Sequence, residues 1–156
     1  MTIYVVIKYL HVLGAIVILG TGSGIAFFML MAHLSKDAAF IARTAGVVVI
    51  ADTFFTFSAV IAQPITGAEL MFVDSISIRE HWILAALGLY AIAGLFWIPV
   101  VLMQAEMRDL ARKAVDKGEP LPPRYYSLFR RWRLFGIPGF GSVMAILWLM
   151  IAKPDL

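Results

Sequence analysis

Ionisable residues interrupt otherwise apolar runs at three places: Lys8 with His11, Asp52, and His81. In hydrocarbon such side chains are costly, so they face the interior of a helix bundle and pair there. Lys8 and His11 are three residues apart and share a helix face. Gly14, Ala15, Ile18 and Gly22 continue that face, and small residues let another helix or a flat ligand approach the backbone. At a 1.5 Å rise per residue, His11 lies roughly 12 Å inside its span. His81 opens a later span on the same side, above its own stripe of Ala85, Gly88 and Ile92. Two histidines on separate helices above small-residue stripes match the axial-ligand layout of b-type haem bundles. On this reading His11 and His81 bind the iron of haem b, and Lys8 or Arg79 meets a propionate.

Each position also has a purely structural alternative. His11 would hydrogen-bond a neighbouring helix, and His81 and His33 would be interfacial. Asp52, followed by Thr53 and Thr56, admits three roles. It is a partner for a cation, a station on a proton path, or an acid that hydrogen-bonds another helix. Other chemistry is missing from the pattern. Without cysteine there is no disulfide, thiolate site or thiol nucleophile. The run Gly20-Thr21-Gly22-Ser23-Gly24 follows no strand, so close helix packing is expected of it rather than nucleotide binding.

The elements that carry these residues are spanning helices. A span needs about 20 apolar residues, and four segments qualify: about 3–31, 44–62, 81–103 and 134–152. Gln63-Pro64 is expected to end the second. The fold class is therefore all-α, a polytopic four-transmembrane-helix bundle in one domain, 1–156. The first apolar run lacks a basic leader and exceeds a signal-peptide core of about 7–15 residues, so a cleaved signal is not expected.

Basic residues set the orientation. Lys36 and Arg43 flank the first loop. Arg108, Arg112, Lys113, Lys117, Arg124, Arg130, Arg131 and Arg133 crowd the stretch 104–133. The intervening loop offers Arg79 alone, beside Glu69, Asp74 and Glu80. The basic loops are thus expected in the cytoplasm and both termini on the periplasmic side. Within 104–133 the third helix should continue as a polar extension until Gly118 and Pro120. Tyr125, Tyr126, Phe129 and Trp132 should then anchor a surface linker at headgroup level. Hydrophobic residues make up 62% of the chain and charged ones 15%, against roughly 25% charged in a soluble domain. The lipid bilayer, not nucleic acid, is the partner that this composition fits.

Four stretches carry a family resemblance: Lys8-Tyr9-Leu10-His11-Val12-Leu13-Gly14, Gln63-Pro64-Ile65-Thr66-Gly67, Trp97-Ile98-Pro99-Val100-Val101-Leu102-Met103-Gln104, and Leu147-Trp148-Leu149-Met150-Ile151-Ala152-Lys153-Pro154. Together they resemble the bacterial integral membrane proteins of domain-of-unknown-function family 2269, over essentially the whole chain. That likeness implies a four-helix fold in the bacterial inner membrane. More distantly, Lys8 and His11 resemble the first helix of the membrane haem-type protoporphyrinogen oxidases and of the copper-resistance protein D group. This implies haem b on His11. The oxidases' third-helix lysine ligand has no counterpart in the third span here, where His81 is the substitute. The function expected first is a small b-type haem protein in electron transfer or oxidoreduction, acting with a quinone or porphyrin. The alternatives are an accessory subunit of a larger membrane complex or homo-oligomer, and a small transporter or proton conductor centred on Asp52.

Overall fold

The computed structural model describes residues 3–154. They form α1 (Ile3–Ser35), α2 (Ala38–Ala51), a π-helical turn (Asp52–Thr56), α3 (Phe57–Val73), α4 (His81–Lys117) and α5 (Pro123–Ala152). No strand occurs among the described residues. α2, the π turn and α3 run on as one rod, Ala38–Val73, so four rods are long and apolar enough to cross a membrane. The protein is an all-α, multi-pass integral membrane protein.

Local chemistry explains the ends of the rods. The α1–α2 connection is only Lys36-Asp37. Lys36 takes a left-handed φ of 58°, and the Asp37 carboxylate caps α2 by accepting from Ala39 N at 2.8 Å and Phe40 N at 3.2 Å. α4 ends on Gly118 at φ 63°, where Glu119 N donates back to Ala114 O at 3.0 Å. Pro123 then opens α5 at its first turn, where its missing N–H costs nothing.

Two expectations about these rods are corrected. The second rod does not stop at Gln63-Pro64 but continues to Val73. Pro64 has no N–H for Val60 O, and Tyr90 of α4 supplies the missing donor through its hydroxyl. The stretch 104–133 is not a surface linker either. α4 reaches Lys117, α5 starts at Pro123, and only residues 118–122 lie between them. Tyr125, Phe129 and Trp132 are core residues rather than headgroup anchors, and Tyr125 is 0% exposed. They pack with Met29, Ile41, Ala45, Met107 and Ala111 at the basic end of the bundle. His33 belongs to the same packing, stacked on Phe129 with ring centroids 3.7 Å apart.

A smaller cluster of Trp82, Ile83, Ala86 and Leu149 closes the opposite end. Between the two ends the helices form an open arc. α5 packs on α4, α4 on α2, and α1 on α2 and α3, while α1 scarcely touches α5. The arc leaves a cleft.

Candidate functional site: a buried acid under a lateral cleft

The cleft has a volume of about 650 Å³. α1 contributes Ile18, Gly22 and Ala26 to its lining, and α5 contributes Phe135, Gly139 and Phe140. α4 and the π turn supply the floor through Trp97, Gln104, Asp52 and Thr56. Glycines make the space. A Cβ added at Gly94, Gly136 or Gly141 would meet nothing within 4 Å, and all three line the cleft. Of the Gly20–Gly24 run, expected to pack closely, only Gly22 meets another helix, where an added Cβ would lie 3.7 Å from the Phe140 ring of α5; Gly20 faces open space, and Gly24 nears only Phe28 of its own helix.

Asp52 is 3% exposed and Gln104 1%. Donor and acceptor types fix their network. An indole N–H only donates, so Trp132 Nε1 orients the Gln104 amide with its oxygen toward the indole, at 3.0 Å. The amide N–H then donates to Asp52 Oδ2 at 2.9 Å. Trp97 Nε1 donates to the other oxygen, Oδ1, at 3.3 Å. Both carboxyl oxygens are therefore acceptors. Thr56, 5% exposed, lies beside the carboxylate, but its hydroxyl reaches no partner at hydrogen-bond geometry. Trp97 and Gln104 occupy about the last two turns of the apolar part of α4. Asp52 thus sits toward the basic end of the apolar zone, not at mid-span.

His11 takes the structural role that the sequence left open. Thr66 gives its one hydroxyl proton to Ala62 O at 2.8 Å, so His11 Nδ1 is the donor to Thr66 Oγ1, at 2.8 Å. Gln63 Nε2 donates to His11 O at 2.7 Å. The glycines fit under these groups: a Cβ at Gly14 would collide with the Gln63 amide, and one at Gly67 would lie 3.4 Å from His11 Cε1. The family stretches around His11 and Gln63 are thus two halves of one α1–α3 joint. The ends of the third stretch, Trp97 and Gln104, both hold Asp52. In the fourth, Lys153 places its ammonium 5.5 Å from the centre of the Trp82 ring.

The other candidate residues stand apart from the cleft. Lys8 Nζ donates to Tyr4 Oη at 3.3 Å on the surface. His81 is exposed at the first residue of α4, and Arg79 is exposed in the preceding turn. For haem, the donor set fits in part. With Nδ1 engaged, His11 keeps a free Nε2 lone pair, the form an axial imidazole takes. His11, however, does not line the cleft, which contains no histidine or methionine, and Ile18 follows it by roughly 10 Å of helix. Among the described residues no group of three or more His, Cys, Asp or Glu could hold a metal ion.

Fold and site together define a polytopic α-helical membrane protein with a buried acid under a cleft that opens sideways. Residues 5–154 match the family model described as predicted integral membrane protein DUF2269, and the chain belongs to that family. No curated protein and no solved structure matches it.

Proposed function

We propose that this protein binds a lipid-soluble small molecule, taken from the bilayer through the gap between α1 and α5, and recognises its polar group with Asp52 and Thr56. The observation that carries this reading is the buried Thr56 hydroxyl, unpartnered at the floor of an apolar cleft. A buried hydroxyl without a partner costs about 1–3 kcal/mol, and a ligand group at that point removes the cost. Mostly apolar walls with a few placed polar groups are the usual make-up of a small-molecule site. The flat, apolar body of a quinone or a porphyrin suits these walls, but its carbonyl or carboxylate oxygens only accept and would take a hydrogen bond from Thr56 rather than from Asp52. In this reading the protein sits in the bacterial inner membrane with its basic end in the cytoplasm.

A second reading is haem b on His11 with a role in electron transfer, and the free Nε2 favours it. Haem would supply one-electron chemistry, and His11, steadied by Thr66, would supply one axial nitrogen. One preparation tests both readings: protein purified in mild detergent, its organic extract examined by mass spectrometry, and its absorption recorded oxidised and dithionite-reduced. The cleft reading expects a co-purified small molecule that is lost in Gly94→Leu, a substitution that puts a side chain into the cleft at a position where an added Cβ meets nothing within 4 Å. A reducible Soret band that disappears in His11→Ala would assign the haem reading instead. A colourless protein with the same extract before and after Gly94→Leu would overturn both, leaving the accessory-subunit reading.

A further inference from the structure

We propose that the cleft ligand is an organic cation, a lipid-soluble amine or its equivalent, with its positive charge seated on Asp52. The inference rests on the cleft reading above and deepens it by naming the ligand class.

The polarity of the network points to a cation. Two groups that can only donate at this site, the Trp97 indole and the Gln104 amide pinned by Trp132, aim N–H bonds at the two oxygens of Asp52. Such a cradle suits an ionised carboxylate, which is acceptor-only. Both donors are neutral, though, and neither ion pair found among the described residues involves Asp52. A buried carboxylate without a counter-charge is strongly unfavourable, and a matched cation restores the balance.

The walls favour the same sign of charge. Phe96, Trp97, Phe129, Trp132, Phe135 and Phe140 line the cleft, and aromatic faces attract cations, most strongly where water is excluded. Arg133 is the one basic residue on the lining. It is exposed, so it stands at the rim and leaves the floor without positive charge. A neutral ligand would gain the apolar contacts but would leave the carboxylate unbalanced.

Two probes isolate the charge: tetraphenylphosphonium and tetraphenylborate, similar in size and shape but opposite in sign. Each is titrated into the detergent-purified protein while the tryptophan fluorescence is followed. The phosphonium should bind at least about tenfold more tightly than the borate, and Asp52→Asn should abolish that preference. Equal binding of the two ions by the wild-type protein, a comparison that needs no variant, overturns the inference, as does a preference that survives Asp52→Asn in folded protein. The cleft reading stands or falls separately. If Gly94→Leu weakens both probes while they bind equally, the cleft is real and only its charge selectivity is refuted.

Discussion

Gln104 carries more of the site than its type suggests, because it stands between an indole that must donate and a carboxylate that must accept. Gln104→Leu would leave the Trp132 N–H and one Asp52 oxygen buried and unpaired, at about 1–3 kcal/mol for each orphaned group. Thermal unfolding of the purified variant should show a clear fall in Tm. An equal loss is not expected for Thr53→Val, whose hydroxyl merely bonds back to Val49 O at 2.7 Å on an exposed face. If both variants melt alike, Gln104 is not the centre of the network. Of this site, Asp52 was legible in the sequence, as an acid where lipid forbids one, together with Thr56 one turn on and the Ile18 and Gly22 stripe of the first span. The hydrogen-bond partners of Asp52 were not. Gln104 read as the start of the 104–133 stretch, Trp132 read as a headgroup anchor, and Trp97 stood out only through the family resemblance. Trp97 and Gln104 are seven residues apart and so share a helix face, the one sign that could have paired them. Nothing in the spacing says which of four helices that face meets. The same holds for His11, whose structural partner was foreseen as a neighbouring helix but not as Thr66.

At the scale of the helices, the second rod was misread because a rule for chains in water was applied to a bundle in lipid. Proline ends a helix when the carbonyl it leaves free cannot be satisfied. Inside a membrane bundle a neighbouring helix can do this, as Tyr90 does for Val60. A double-mutant cycle tests that account. Tyr90→Phe alone should destabilise the protein by about 1–3 kcal/mol, the cost of an orphaned buried acceptor. In a Pro64→Ala background residue 64 regains an N–H for Val60 O, and Tyr90→Phe should then cost much less. Additive effects would mean that the two residues are not coupled through Val60. The π-helical turn at Asp52–Thr56 left no mark in the sequence. It is a local underwinding, wider than the α-helix and often found at functional sites, and here it brings both Asp52 and Thr56 to the cleft floor.

Over the whole molecule, the four rods were legible because length and hydropathy alone determine them. The cleft was not, since it exists only because α1 and α5 fail to close on each other, and the glycines that line it look in sequence like packing motifs. Orientation is a property of this scale too. An even number of rods brings the described ends, Ile3 and Pro154, to the same side. The opposite side carries Lys36 and Arg43 together with Arg108 to Lys117 and Arg124 to Arg133. The bias of lysine and arginine toward cytoplasmic segments predicts that this end lies inside the cell. On that prediction, the packed core formed there by Tyr125, Phe129 and Met107 is a short cytoplasmic extension of the bundle. Gly118 lies at its tip, with a positive φ and no neighbour near an added Cβ, so an insertion there disturbs little. An alkaline phosphatase domain fused after Leu156 should be active, because that enzyme matures only outside the cytoplasm. The same domain inserted at Gly118 should be inactive, and a fluorescent protein at that site should be bright. The reverse pattern would invert the protein in the membrane, and the cleft would then face the other leaflet with all its internal contacts unchanged.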